Sequence, residues 1–96
     1  MIDALCYLSS PTRAEVVTPC VIAQATLGET GGFGFVLNRT FRLSFIGVYE
    51  RGGLTVTHIA ADDDQPRGLP RTGFCRSQGR TLTCTSEVLT IRAVRK

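Results

Sequence analysis

The chain has 96 residues, of which 43% are hydrophobic and 20% charged, and its formal net charge is +3. A chain of this length buries only about 60 to 65% of its unfolded surface, so its core is thin and leaves little room for an interior active site. The composition excludes a disordered chain, and no apolar run approaches the roughly 20 residues of a membrane-spanning helix. We expect a single globular domain over residues 1–96 that has no membrane role.

The N-terminal segment MIDALCYLSSP does not fit a secretory signal. It has no basic region, it carries Asp3, and its apolar stretch is too short. We therefore expect an intracellular, cytoplasmic protein or a subunit assembled in a particle.

Period-two alternation of apolar residues dominates the first two thirds of the chain and predicts strands. The segment AEVVTPCVIAQATL (14–27) is rich in β-branched residues, and Pro19 removes a ladder donor there, which indicates an edge position or a bulge. The segments GFGFVLN, FRLSFIGVY and LTVTHIA alternate next, separated by NRT and ERGG, which are typical of turns. Three strands joined by tight turns form a meander, with His58 on the same face as Leu54 and Val56.

The glycine-rich segment TGGFGFVLNRT does not predict a phosphate site. A phosphate-binding glycine loop needs a helix N-terminus behind it, and here a strand follows with no lysine nearby. The glycines are better explained by a strand that bends or that another backbone approaches closely.

The segment ADDDQPRGLPRTG (61–73) predicts one long loop, because it has neither the strand nor the helix pattern. The acids at 62–64 lack the alternate spacing, central glycine and closing glutamate of a calcium loop, so we interpret them as a solvated turn. We predict no metal site and no cofactor.

The segment FCRSQGRTLTCTS predicts a hairpin. A two-residue turn at Gly79 and Arg80 pairs Cys75 with Cys84, whereas a turn at Gln78 and Gly79 would put Cys75 opposite Leu82. Those two cysteines are the candidate disulfide, and Cys6 and Cys20 are the pair that remains for a second disulfide. In a reducing cytosol we instead favour four buried free thiols, since free cysteine is commonly a small buried apolar residue. A zinc site is disfavoured because no two cysteines are closely spaced.

The last segment, SEVLTIRAVRK, fits either a strand or a short helix capped by Ser86, and its β-branched residues favour the strand. The predicted fold is therefore mainly β: a small antiparallel barrel or sandwich of six to eight short strands, with a short C-terminal helix as the alternative.

The C-terminal third is the basic part of the chain. Residues 67–96 contain six arginines and Lys96, but only one acidic residue, Glu87. Such charge asymmetry is typical of a surface for nucleic acid or an acidic partner, although a solvated face also explains it. The candidate interaction surface consists of Arg67, Arg71, Phe74, Arg76 and Arg80.

Two short resemblances are present. The order of GGFGFVL, LTVTHIA, RGLPRTG, SQGRTL and SEVLTIRAV resembles a PDZ domain. That resemblance implies a peptide-binding module in which the backbone of Phe33, Gly34 and Phe35 receives a partner's C-terminal carboxylate. The segment GGFGFVLNR is also similar to a short motif of the AlgH family, whose domain is longer.

We expect a non-enzymatic interaction or assembly subunit that acts through unpaired strand edges and the arginine-rich C-terminal third, with a protein partner or self-association. His58 is the only histidine and no nucleophile motif accompanies it, so no catalytic residue is predicted. A viral or phage structural or accessory protein is the setting we associate with such a subunit. The alternatives are a nucleic-acid-binding small β domain and the PDZ-like module.

Overall fold

A computed structural model describes residues 2–27, 30–61 and 69–96. These residues form eight strands and no helix: β1 (Ile2–Ser10), β2 (Arg13–Leu27), β3 (Thr30–Leu37), β4 (Phe41–Glu50), β5 (Gly53–Ala61), β6 (Leu69–Gln78), β7 (Thr81–Ser86) and β8 (Thr90–Arg95). Each strand pairs antiparallel with the next, and β8 pairs with β1 to close a barrel. The predicted small, mainly antiparallel β fold is confirmed, and of the two predicted architectures, barrel and sandwich, the structure has the barrel.

Three hairpin turns have the backbone geometry that their sequences favour. Asn38 and Arg39 both have positive φ, 50° and 63°, as do Arg51 and Gly52 at 52° and 78°, which is the pattern of a type I′ turn. Gly79 has φ 63° while Arg80 does not share it, which matches the type II′ turn predicted for that hairpin. The three-residue connection at 38–40 and the two-residue turns at 51–52 and 79–80 fix the register of the strands that they join.

The barrel interior is filled by the inward-facing rows of all eight strands. The largest fully buried side chains include Phe35 and Phe45, whose rings meet edge to face with centroids 5.8 Å apart. Other members of the core are Ala4, Ile22, Leu37, Leu43, Leu54, Val56, Ile59, Leu82, Ile91 and Ala93. The core is therefore built from every second residue of each strand, as the period-two pattern of the sequence predicts.

The four cysteines form two disulfides, Cys6–Cys20 and Cys75–Cys84, and the structure contains no free cysteine. The preferred interpretation of four free thiols was therefore wrong. Cys75 lies directly opposite Cys84 in the β6–β7 ladder, with their Cα atoms 4.0 Å apart. That register is the one expected from the turn at Gly79. Because the two sulfurs are bonded to each other, they have no thiolate to offer to zinc.

The prediction that His58 faces the core was also wrong. Residue 57 is an extra residue in β5, because Ile46 pairs with His58 while Gly47 pairs with Val56. The bulge moves His58 out of the row of Val56 and places Ile59 in the core instead. The imidazole Nδ1 lies 2.9 Å from the Thr57 hydroxyl, at the half-buried outer surface.

The C-terminal segment is a strand, so the helix alternative does not hold. Ser86, which could have capped a helix, instead organises a turn: its hydroxyl accepts the backbone N–H groups of Val88 and Leu89, each at 3.2 Å. Its own N–H donates to the Leu89 carbonyl at 2.9 Å. A serine hydroxyl satisfies backbone donors in a turn as well as at a helix start, which is why the sequence fitted both.

The predicted loop over 61–73 is shorter than expected at its C-terminal side. β6 begins at Leu69, and Pro70 pairs with His58 of β5. Residues 62–68, which include Arg67 and the three acids at 62–64, lie outside the described residues. The proline and glycine of the segment LPRTG therefore do not prevent it from pairing with β5. The register of that pairing shifts by a bulge between Gly73 and Pro70.

Candidate functional site

One row of outward-facing side chains crosses four strands and carries two arginines. Arg76 of β6 pairs with Thr83 of β7, Thr83 pairs with Arg92 of β8, and Arg92 pairs with Tyr7 of β1. Directly opposite residues in antiparallel strands share a face, so these four side chains stand side by side on the outer surface. We call them, together with Phe74, the arginine row.

Each arginine of this row lies against an aromatic ring. The guanidinium carbon of Arg92 is 4.2 Å from the centroid of the Tyr7 ring, and that of Arg76 is 5.8 Å from the centroid of Phe74. A guanidinium over an aromatic face gains roughly 0.5 to 1 kcal/mol at an exposed site. The contacts hold two positive charges and two ring systems at fixed places on one face.

The other arginines of the candidate surface do not join this row. Arg80 lies in the β6–β7 turn at one end of the barrel, next to Arg95. Arg71 lies near the opposite end, where its charge acts on Glu87. Arg67 lies outside the described residues.

Tyr7 and Arg92 were missed in the sequence analysis, since they meet only through the pairing of the first and last strands. The local signal for β1 was present, because Ala4 and Cys6 alternate with Leu5 and Tyr7. Nothing local, however, indicates that β1 lies beside β8.

A second feature is a segment of β2 that has a neighbour on one side only. Within the described part of the chain, β2 pairs with β3 only from Cys20 onward, whereas its pairing with β1 extends to Arg13. We call residues 13–18 the open edge. Among the described residues β2 therefore has a one-sided segment at each end: residues 13–18 lack a ladder partner on the β3 side, and residues 23–27 lack one on the β1 side.

The backbone of Val17 points toward the open side. The Pro19 carbonyl accepts the N–H of Asn38 at 2.9 Å, on the side away from β1. N–H and C=O groups of residues two apart in a strand point the same way, so those of Val17 also point away from β1. Pro19 lacks only the donor on that side, which explains why it is tolerated in a long strand.

Exposed apolar side chains are concentrated at the same end of the barrel as the open edge. Val16 and Val17 are 59% and 51% exposed. Phe41, Leu69 and Val88, which begin or precede strands at that end, are also exposed large hydrophobic residues. Such a grouping of apolar surface is typical of a contact with another chain.

The PDZ-like carboxylate site does not fit the structure. Phe33, Gly34 and Phe35 lie in the middle of β3, where each pairs with β2 on one side and β4 on the other. Their backbone groups are engaged in the two ladders, so they cannot receive a peptide carboxylate. The described residues also contain no helix to form the second wall of a peptide groove.

Glu87 forms hydrogen bonds with Thr72 at the start of β6. Its carboxylate accepts the Thr72 hydroxyl at 2.8 Å and the Thr72 backbone N–H at 3.3 Å. The hydroxyl contact, followed by backbone hydrogen bonds and the charge of Arg71, lowers the pKa of Glu87 below its ordinary value of 4.5. The contact ties the turn before β8 to the start of β6.

Comparison with known proteins does not assign the chain to a family. No family model matches the sequence, and searches of curated proteins and of solved structures found no match. Among residues 2–27, 30–61 and 69–96, no helix is long and apolar enough to cross a membrane.

Proposed function

We propose that this protein is a non-enzymatic assembly subunit that associates with a second copy by pairing the open edge of β2 with the same edge of its partner. The observation that carries this proposal is the unpaired backbone of residues 13–18 together with the exposure of Val16 and Val17. A free edge is a ready template for a further strand, because its N–H and C=O groups point outward in ladder register.

The geometry suits a symmetric contact. Antiparallel pairing of one segment with its own copy forms an isologous interface, in which both partners use the same residues. Val16 and Val17 point to opposite faces of the strand, so a second β2 would cover apolar surface on both faces. The nearby exposed Phe41 extends the apolar contact beyond the edge itself.

The test is Val17→Pro, read by native mass spectrometry. Proline removes a backbone donor that faces the open side, and no hydrogen bond to β1 depends on that donor, so the barrel should remain folded. We expect the wild-type chain to have the mass of a dimer or larger oligomer, and the variant to have the mass of a monomer. Circular dichroism checks that the fold is retained.

Val17→Thr is the matched control, because it keeps the backbone donor and the β-branched shape. It should keep the oligomer, with a modest loss of affinity from the smaller apolar surface. A wild-type chain that stays monomeric would refute the proposal, as would a folded Val17→Pro variant with an unchanged oligomeric mass.

The disulfides bear on where such an assembly forms. Disulfides persist in oxidising compartments and on particle surfaces and are rare in a reducing cytosol. Two buried disulfides in one small domain therefore favour a secreted or particle-surface location over the cytoplasm. Mass measurement of the protein isolated from its native source, with thiols alkylated at lysis, tests this: four alkylated cysteines would contradict it.

A second candidate function is single-stranded nucleic-acid binding by the arginine row, and the contact between Arg92 and Tyr7 favours it. Proteins that bind single strands on a sheet face combine aromatic rings, on which bases stack, with cations that contact phosphates. The row offers Tyr7 and Phe74 as rings and Arg76 and Arg92 as cations on one continuous surface.

This candidate is tested by the salt dependence of binding to a single-stranded RNA of mixed sequence. Arg76→Ala and Arg92→Ala should each weaken binding and lower the slope of log affinity against log salt by about 0.7 for each lost phosphate contact. Arg51→Asn, in the β4–β5 turn outside the row, is the control, since asparagine tolerates its positive φ of 52°. Binding that is absent, or equally affected by all three variants, would reject the candidate.

A further inference from the structure

The end of the barrel opposite the open edge contains a cavity of about 590 Å³. Eight strands enclose an interior just wide enough for side chains or for one small ligand. Here the cavity lies at the end at which β2, β4, β6 and β8 finish, and core residues such as Ile22 and Leu82 form its inner lining. Its volume lies within the range of about 300 to 1,000 Å³ that is typical of small-molecule sites. We call this end the mouth.

The inner part of the cavity is apolar and held in place. Ile22 and Leu82 are buried lining residues, and Phe33 and Tyr49 form one wall. The two rings meet edge to face with centroids 6.0 Å apart, and the Tyr49 hydroxyl donates to the Gly32 carbonyl at 3.2 Å. This wall is therefore fixed by both a ring contact and a hydrogen bond, as a preformed apolar site requires.

The mouth carries polar side chains on rows that point inward. Gln24, Ser77 and Arg95 each lie two residues beyond a buried inward-facing residue of their strand, and all three line the cavity. If the inward-facing side chains served only to stabilise the barrel, no cationic side chain would be needed at the inward positions of its exposed end. A guanidinium on the inner row of β8 instead places a positive charge at the entrance of an apolar space.

Charge complementarity indicates what enters. Arg95 and Arg80 both line the mouth, and Nη2 of Arg95 donates to the Gly79 carbonyl at 3.1 Å, which fixes the guanidinium without neutralising it. A guanidinium has five donors, so others remain for a ligand. Among the described lining residues Glu50 is the one carboxylate, and it accepts the Thr55 hydroxyl at 2.7 Å. The described lining thus carries two guanidinium groups against one carboxylate.

From these observations we infer that the mouth binds a small apolar monocarboxylate, with its hydrocarbon part against Phe33 and Leu82 and its carboxylate on Arg95. Arginine binds a carboxylate through paired, charge-assisted hydrogen bonds, and Gln24 and Ser77 supply further polar contacts. No covalent step is involved. The site is separate from the open edge, which lies at the other end of β2.

The test uses decanoate as the probe, with binding followed by amide chemical shifts of the isotope-labelled, disulfide-intact protein. We expect saturable one-to-one binding, with shifts confined to residues that line the mouth. Decanol has the same hydrocarbon chain and no charge, and it should bind at least tenfold more weakly. Arg95→Met keeps an apolar stem and should weaken decanoate binding at least tenfold while leaving decanol binding unchanged.

Arg42→Met is the matched control, because Arg42 is an exposed residue of β4 that belongs neither to the mouth nor to the arginine row. It should bind decanoate as the wild type does. Gln24→Trp fills the exposed mouth without touching the buried core, and it should abolish binding of both probes. Equal affinity for decanoate and decanol, an unchanged affinity in the Arg95→Met variant, or shifts that map to the outer surface would each overturn the inference.

Discussion

Removal of the Cys75–Cys84 disulfide should destabilise the barrel by an amount that the loop length sets. The two residues are separated by 9 positions in the sequence, and the bridge between Cys6 and Cys20 closes a separation of 14. In the chain-entropy treatment, cross-links of these lengths stabilise by about 2.7 and about 3 kcal/mol, because they restrict the unfolded chain. The shorter loop therefore gives the slightly smaller effect.

These magnitudes are large for a domain of this size. A chain of 96 residues is stabilised by roughly 5 to 14 kcal/mol in total, so the two bridges together account for a large part of it. One kcal/mol shifts the melting temperature of such a domain by about 4 to 8 °C. The variant with both Cys75→Ala and Cys84→Ala should thus melt roughly 10 to 20 °C below the wild type.

Thermal unfolding followed by circular dichroism measures this shift, with and without reductant. Reduction keeps the sulfur atoms in place, so reduced wild-type protein separates the loss of the cross-link from the small cavity that alanine leaves. A variant with all four cysteines replaced by alanine should not respond to reductant. If reduced and oxidised wild-type protein melted at the same temperature, the stabilising role of the bridges would be refuted.

Two further predictions concern single positions. Gly47→Ala should destabilise strongly, because an added Cβ would collide with the Thr55 carbonyl oxygen in the neighbouring strand. Gly34→Ala is its control and should have a small effect, since the nearest atom there is 3.8 Å away; similar urea midpoints for the two variants would contradict the argument. The lowered pKa of Glu87 means that its contact with Thr72 stabilises the fold above the ordinary pKa of 4.5 and is lost as the pH falls through the folded value. Glu87→Gln should therefore be less stable than the wild type near neutral pH and equally stable in strong acid; a difference in urea midpoint that is the same at both pH values would refute this.

Local pattern was enough to predict much of the strand content. Alternation identified the segments of β3, β4 and β5, and a glycine in the first turn position predicted the pairing of Cys75 with Cys84. The same pattern failed at His58, because one extra residue in β5 reverses the faces of the strand after it. A bulge of this kind depends on how the neighbouring strand pairs, which no local pattern contains.

The arginine row could be predicted only for the residues that are close together in the sequence. Phe74 and Arg76 are two positions apart in β6, so alternation along that strand is enough to put them on the same face. Tyr7 and Arg92 come from opposite ends of the chain and meet because β1 pairs with β8. The redox state of the cysteines was missed for another reason: the inference of a reducing cytosol outweighed a register argument that placed two of them face to face.

The open edge follows from a mismatch in strand length. β2 has 15 residues, whereas its neighbours β1 and β3 have 9 and 8. A closed barrel satisfies the backbone groups of every strand only along the length that both neighbours share, so the surplus of a long strand must lack a partner on at least one side. At its C-terminal side β2 continues along β3 toward the mouth, and at its N-terminal side it continues along β1 alone. The same strand thus supplies Gln24 to an apolar cavity and Val17 to an exposed edge, so the proposed ligand site and the proposed association edge lie at opposite ends of one small barrel.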